Sequence, residues 1–232
     1  MLLKIRNLNK SYQENKLFEN FNIEIKENTI SCILGPSGCG KTTLLNIINH
    51  TVNADSAILE GFENKIISYI FQEPRLLPWK TVKENISFVI KNLDIKEETV
   101  DKYIRLVELE KFANYYPSKL SGGMRQRVSI ARAFAYPSDI ILMDEPLKAL
   151  DIKLKLNLIK SFKRIWQFDK RTVVFVTHDI DEALLLGNEI FVFSKAPVII
   201  KDKFTLSSSF SDFTLEKPEM ISLKKQILKI MD

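Results

Sequence analysis

The chain has 232 residues, 45% of them hydrophobic and 27% charged, the balance of a globular protein with room for one large α/β domain. No apolar run approaches the ~18 residues needed to cross a bilayer, and charges interrupt Met1–Arg6, so neither a membrane span nor a signal peptide is expected and the default location is cytoplasmic. The net charge of +5 comes from scattered lysines rather than a basic block, so it reads as a solvated surface and does not by itself indicate nucleic acid.

Leu3–Leu8 and Phe21–Lys26 alternate apolar and polar residues, which predicts two strands with one buried face each. Tyr12 lies between them at the edge of a polar turn. It can stack on a purine ring or pack on its neighbours, and both readings stand at this point. Ile30–Leu34 is a buried strand, and Leu44–Ile48 lies in a helix expected over residues 41–50. Between them runs Gly35-Pro36-Ser37-Gly38-Cys39-Gly40-Lys41-Thr42-Thr43. A glycine-rich turn ending in Gly-Lys-Thr between strand and helix is a phosphate loop. Its glycines let successive N–H groups converge on one anion, the helix start adds partial positive charge, and Lys41 adds a full one. The Thr42 hydroxyl is placed for a magnesium ion bridging the outer phosphates.

The two cysteines, Cys32 and Cys39, make no disulfide framework. Cys32 reads as a small core residue. Cys39 reads as filler in the loop, where alkylation would compete with nucleotide. His50 at the helix end is explained by the helix dipole and carries no function.

Residues 51–65 read as polar and turn-like. Ile66–Phe71 is a strand that delivers Gln72 at its C-terminal end, the edge where parallel α/β sheets bind ligands. From Pro74 the character changes. Thr81 and Glu84 form a capping box for a helix over about 82–92, and residues 97–109 are amphipathic. Ser121-Gly122-Gly123 then open a helix through Ala133, a second candidate anion site. Five of the 7 glycines thus fall in two possible phosphate cradles.

Ile140–Met143 is a continuous apolar strand ending in Asp144 and Glu145. Asp144 suits a magnesium shell, and Glu145 suits a base that polarises water against a γ-phosphate. A long helix over about 152–168 follows. The strand Thr172–Thr177 delivers His178 to the same edge as Gln72 and Glu145, where it could sense a γ-phosphate. Glu189–Phe193 and Val198–Ile200 close the sheet. The tail is Ser-rich at 207–211 and then helical from about 218, with Met220, Leu223, Ile227 and Ile230 on one face expected to pack on the body.

Together these motifs resemble the ATP-binding subunit of an ATP-binding cassette (ABC) transporter, over about residues 2–230. Leu120-Ser121-Gly122-Gly123-Met124-Arg125-Gln126-Arg127 is similar to that family's signature motif. The resemblance implies a phosphate-loop NTPase core of mainly parallel sheet, with an N-terminal antiparallel part and an inserted helical subdomain. The α/β core is expected over 1–74 and 136–204, the helical subdomain over 75–135, and a tail with its helix over 205–232. Gly35–Thr43 match Walker A, Gln72 the Q-loop glutamine, Asp144 and Glu145 the end of Walker B, Lys148–Asp151 the D-loop, His178 the switch histidine and Tyr12 the adenine-stacking aromatic.

The resemblance further implies ATP and Mg2+ as ligands. Gly35–Thr43, Tyr12 and Ser121–Gly123 would hold nucleotide, and Thr42, Gln72 and Asp144 would hold the metal. Lys41, Gln72, Glu145 and His178 would carry hydrolysis. The implied partners are a second copy, head to tail around two ATP, a membrane permease and, through it, a solute-binding protein, with the chain on the cytoplasmic face of the membrane. Phe71-Gln72-Glu73-Pro74-Arg75-Leu76-Leu77-Pro78-Trp79 and Lys217-Pro218-Glu219 resemble importers of nitrate, sulfonates and taurine. A non-transport cassette acting on nucleic acid or ribosomes is the rival class, but the short stretch from Gln72 to Leu120 leaves no room for a long coiled-coil insertion. The chain departs from the family in its 51–65 segment, which lacks the usual glycine-containing strand pair, and in Lys148, where serine is frequent.

Overall fold

The computed structural model describes residues 1–93, 98–148, 150–206 and 215–231. In chain order the elements are β1 (Leu2–Tyr12), β2 (Asn15–Lys26), β3 (Ile30–Leu34), α1 (Lys41–Ile48), β4 (Ser56–Glu60), β5 (Ile67–Ile70), α2 (Val82–Ser87) and α3 (Glu98–Leu106). There follow α4 (Gly122–Ala135), β6 (Ile140–Asp144), α5 (Ile152–Phe168), β7 (Thr172–Thr177), α6 (Ile180–Leu186), β8 (Glu189–Phe193), β9 (Ile200–Thr205) and α7 (Pro218–Met231). Contacts divide the chain into two compact units, one of Met1–Lys65 with Thr172–Asp232 and one of Ile66–Arg171.

In the first unit β2, β1 and β4 form an antiparallel sheet in that order. Leu3 faces Ile25 and Ile5 faces Ile23, so one side of the β1–β2 hairpin is a dry apolar strip. The second layer is built on β3, which lies parallel to both β7 and β8, with β9 added antiparallel to β8. β3, β7 and β8 are buried along their whole lengths, which explains why they read as mainly apolar strands.

The turn-like reading of residues 51–65 is overturned. Ser56–Glu60 is an edge strand pairing Ile58 with Arg6 and Leu59 with Ile5. It is held by backbone bonds and by Asp55, whose carboxylate accepts the Ser11 N–H at 2.7 Å. Its outward Ile58 stays exposed, so little apolar signal marks it. The closing strand also shifts: Val198 and Ile199 precede β9, which runs on through the polar Lys201-Asp202-Lys203. α6 follows directly from the Asp179 cap.

α7 packs against α6 and β8, with Ile227 buried and Lys224 paired to Asp181 at 2.6 Å. The stripe Met220, Leu223, Ile227 and Ile230 is indeed its less exposed face, while Ile221 and Leu228 point outward. The Ser-rich stretch 207–211 lies outside the described residues.

The second unit pairs β5 parallel with β6, matching Ile70 to Met143. Helix α4 is its centre and packs on α2, α3 and α5, with Phe134 and Phe162 edge to face at 5.9 Å. The capping box forms as expected: Thr81 accepts from Glu84 N–H, and Glu84 returns the bond to Thr81 N–H at 2.7 Å. The helix it starts is shorter than the sequence suggests, ending at Ser87 and tightening into a 3-10 turn over Phe88–Ile90.

Candidate active site

In the first unit, β3 and β7 are neighbours with Leu34 opposite Thr177. Their C-terminal ends therefore bring the phosphate loop and His178 side by side. The Gly35 N–H donates to the Thr177 carbonyl at 3.4 Å. Gly40 precedes α1 at φ 96°, a conformation that favours glycine. It offers no side-chain cap, so the first N–H groups of α1 around Lys41, Thr42 and Thr43 are not taken up by a capping side chain. Gly38 also has positive φ, and space around it is open.

Lys41 is only 5% exposed, and its ammonium donates to the carbonyls of Gly35 and Pro36, both at 2.8 Å. A buried cation braced by two loop carbonyls at an uncapped helix start is a fit for a phosphate group. Ser37, Gly38 and Thr42 are on the exposed side of the loop, with Thr43 partly covered. Cys39 is buried, with its sulfur 3.9 Å from the Lys41 ammonium. Burial pushes its thiol up, which keeps it protonated and slow towards alkylating reagents. Tyr12 stands at the hairpin end opposite Asn15 with its ring half-exposed and the Lys10 ammonium 5.1 Å from the ring centre.

In the second unit, Gln72 follows β5 and Asp144 ends the neighbouring β6. Gln72 is exposed. Its loop is braced by α4: Gln126 donates to the Phe71 carbonyl at 3.4 Å, and Arg132 donates to Pro74 and Arg75 carbonyls at 3.1 Å each. Buried Asn85 pins the next stretch through Leu77, Lys80 and Thr81. Asp144 accepts the Tyr69 hydroxyl at 3.4 Å. Burial first, and then the Asp144 charge, push that hydroxyl above its usual range, so it stays a donor to the carboxylate.

Glu145 sits at φ 42°, in the left-handed region, and its Oε2 pairs with the Lys148 ammonium at 2.7 Å. The bond to Glu145 in turn raises the Lys148 pKa. At the start of α4, the Ser121 hydroxyl accepts the Met124 N–H at 3.3 Å, and both Gly122 and Gly123 are within the helix.

The structure places Tyr12, Gly35–Thr43 and His178 in the first unit, and Gln72, Ser121–Gly123, Asp144 and Glu145 in the second. Three supports were not anticipated from the residues alone: the Arg132 and Gln126 braces, the Lys148 ion pair and the Thr177 bonds described below. The first two are visible in sequence only as charged or amide positions on a helix or turn, with nothing to name their backbone partners.

A phosphate loop with an open helix start, a strand ending in two carboxylates and a second serine-glycine helix start define a nucleotide-hydrolysing cassette. Residues 18–148 match the family described as ABC transporter. An uncharacterized ABC transporter ATP-binding protein of Methanocaldococcus jannaschii is 39% identical over 99% of this chain and 91% of its own length. The aliphatic sulfonates import ATP-binding protein SsuB of Bacillus cereus is 40% identical over 78% of this chain and 75% of its own. Among solved structures, a dimeric bacterial ABC transporter cassette superposes with a TM-score of 0.73 at 32% identity, covering 89% of this chain and 99% of that one. A post-hydrolysis state of such a cassette bound to ADP and Pi gives 0.73 at 31% identity with the same coverage. The chain belongs to the ABC transporter family, as its ATP-binding and ATP-hydrolysing cassette.

Proposed function

We propose that this cassette powers the import of a small organic anion, of the sulfonate class, through a membrane permease by closing head to tail with a second copy around two ATP molecules. The observation that carries the ATP reading is the open start of α1 with the buried Lys41 ammonium braced by Gly35 and Pro36. The import reading is supported by likeness to SsuB. No described helix is long and apolar enough to cross a membrane, so a permease subunit would supply the path and hold the chain at the cytoplasmic face, with a solute-binding protein beyond it.

Gly35–Thr43 would hold the phosphates by backbone N–H groups, with Lys41 exchanging its two carbonyls for phosphate oxygens. Tyr12 would stack on adenine. Thr42, Gln72 and Asp144 offer hydroxyl, amide and carboxylate oxygens, the hard donors that Mg2+ takes. That ion, when bound, would neutralise outer-phosphate charge and polarise the γ-phosphoryl group. Glu145 would orient and deprotonate the attacking water, and His178 would hold the γ-phosphate. Ser121, Gly122 and Gly123 of the other copy would donate to the same phosphate, so closure depends on ATP and ends with its hydrolysis.

Glu145→Gln is the direct test. It should retain ATP binding, lower turnover by about hundredfold or more, and leave a long-lived ATP dimer on size exclusion. Near-wild-type turnover, or a monomer under saturating ATP, overturns the reading. Unimpaired sulfonate uptake in cells lacking the chain overturns the substrate class alone.

A further inference from the structure

We propose that Thr177 is a positioning residue for hydrolysis: its hydroxyl, anchored on the buried Glu182 carboxylate, fixes His178 against the phosphate loop. The inference rests on the reading of His178 as the γ-phosphate contact. Thr177 is the last residue of β7 and is 1% exposed. Three bonds converge on it. Its carbonyl accepts the N–H of Gly35, the first residue of the phosphate loop, at 3.4 Å. Its hydroxyl donates to Glu182 Oε2 at 2.7 Å and accepts the Asp179 N–H at 3.0 Å.

His178 therefore stands between two fixed neighbours while its own side chain is exposed. On one side, Thr177 is bonded to the loop that holds the phosphates. On the other, Asp179 is bonded to Thr177 and caps α6 through the N–H groups of Asp181 at 2.9 Å and Glu182 at 3.3 Å. An exposed imidazole set on a backbone fixed at both flanks can meet a γ-phosphate without first losing backbone freedom.

Glu182 is the unusual part. An acidic residue in a first helical turn serves the helix dipole from the surface. Here the carboxylate is turned inward, 4% exposed, where desolvation is costly without bonded partners. The Asp179 cap already serves the start of α6. A strong hydrogen bond between Thr177 and a buried carboxylate instead holds the hydroxyl rotor in one orientation, with its lone pair on the Asp179 N–H. The chain from Glu182 through Thr177 to Gly35 thus links α6, the switch histidine and the phosphate loop within one unit.

The experiment measures kcat and KM for ATP in Thr177→Val, Thr177→Ser, Glu182→Gln and His178→Ala, with thermal unfolding of each. Thr177→Val keeps the shape and deletes the hydroxyl. It should lower kcat about tenfold or more, the factor set by losing the hydrogen bond to the Glu182 carboxylate together with the one from the Asp179 N–H, with KM unchanged within about twofold. Thr177→Ser restores the hydroxyl and Glu182→Gln retains an acceptor, so both should recover most of kcat. A purely structural role would lower the melting temperature of Thr177→Val and leave kcat intact among molecules still folded. Unchanged kcat in Thr177→Val, while His178→Ala has lost turnover, overturns this proposal and leaves the histidine reading standing. Equal damage in Thr177→Ser and Thr177→Val, or a rise in KM matching the fall in kcat, also overturns it. Wild-type kcat in His178→Ala overturns the histidine reading itself, and this inference with it.

Discussion

Helices α1 and α4 both have glycine at their starts, Gly40 just before α1 and Gly122 as the first residue of α4, and in sequence both look like phosphate cradles, yet they are finished differently. α1 begins after Gly40 with no side-chain cap, and its first residue is a buried lysine held by two carbonyls. α4 begins after Ser121, which satisfies the Met124 N–H itself, and its nearby cation, Arg125, is folded back onto the Leu120 carbonyl at 2.6 Å. The first is a helix start without a side-chain cap, beside a buried cation held only by loop carbonyls. The second is closed on itself through one long bond of 3.3 Å, easily exchanged for a better acceptor. A glycine at a helix start is therefore not one kind of site. On the proposed function the first would bind on its own, and the second would contribute only when a phosphate is already presented to it.

The largest expected effect breaks the first side of this comparison. Lys41→Ala removes the only full charge of the loop and takes the ammonium donor from the Gly35 and Pro36 carbonyls. Titration with a fluorescent ATP analogue should show affinity falling on the order of a hundredfold, from losing two or more charge-assisted bonds. Retained affinity would mean that the backbone N–H groups alone hold nucleotide.

Next in size is one substitution made at both helix starts. A Cβ on Gly40 would lie 3.1 Å from Leu17 and Phe18 atoms and would have to be carried at φ 96°. Gly40→Ala should cost about 1–2 kcal/mol from the left-handed backbone, with the clash adding to it. A Cβ on Gly122 meets Leu150 at 3.9 Å, ordinary contact, within a regular helix. Gly122→Ala should therefore fold as well as the wild type or gain about 0.5 kcal/mol. Calorimetry should show a lower melting temperature for Gly40→Ala and an equal or higher one for Gly122→Ala, and a parallel fall in both would show that the two starts share one constraint.

Much of this was legible in the sequence, for identifiable reasons. β3, β6 and β7 are buried on both faces, so their apolar runs announced them, and the phosphate loop and carboxylate pair sit at their ends, where ligand edges lie. β4 was not legible, because an edge strand held by backbone pairing to β1 needs no apolar pattern. The finish of each helix start was also hidden. Whether Ser121 spends its hydroxyl on its own helix, or Arg125 turns back to Leu120, depends on rotamers that no spacing records. Glu145 was readable as a carboxylate at a strand end, but not its positive φ or its pairing to Lys148.

The smallest expected effect separates the two jobs of Ser121. As a cap its hydroxyl is worth about 1 kcal/mol, so Ser121→Ala should lower the melting temperature by about 2–4 °C and leave ATP affinity of the separate chain unchanged. Aspartate is an equally good cap, so Ser121→Asp should recover that stability. It would, however, place a carboxylate where, in the proposed dimer, the second copy's γ-phosphate would arrive, and like charges at that range repel. In a Glu145→Gln background, Ser121→Asp should therefore be as stable as its parent yet stay monomeric with ATP, while Ser121→Thr, which keeps the hydroxyl, should dimerise. An ATP dimer from Ser121→Asp would show that this serine is a cap and nothing more, and that the start of α4 is not a phosphate site.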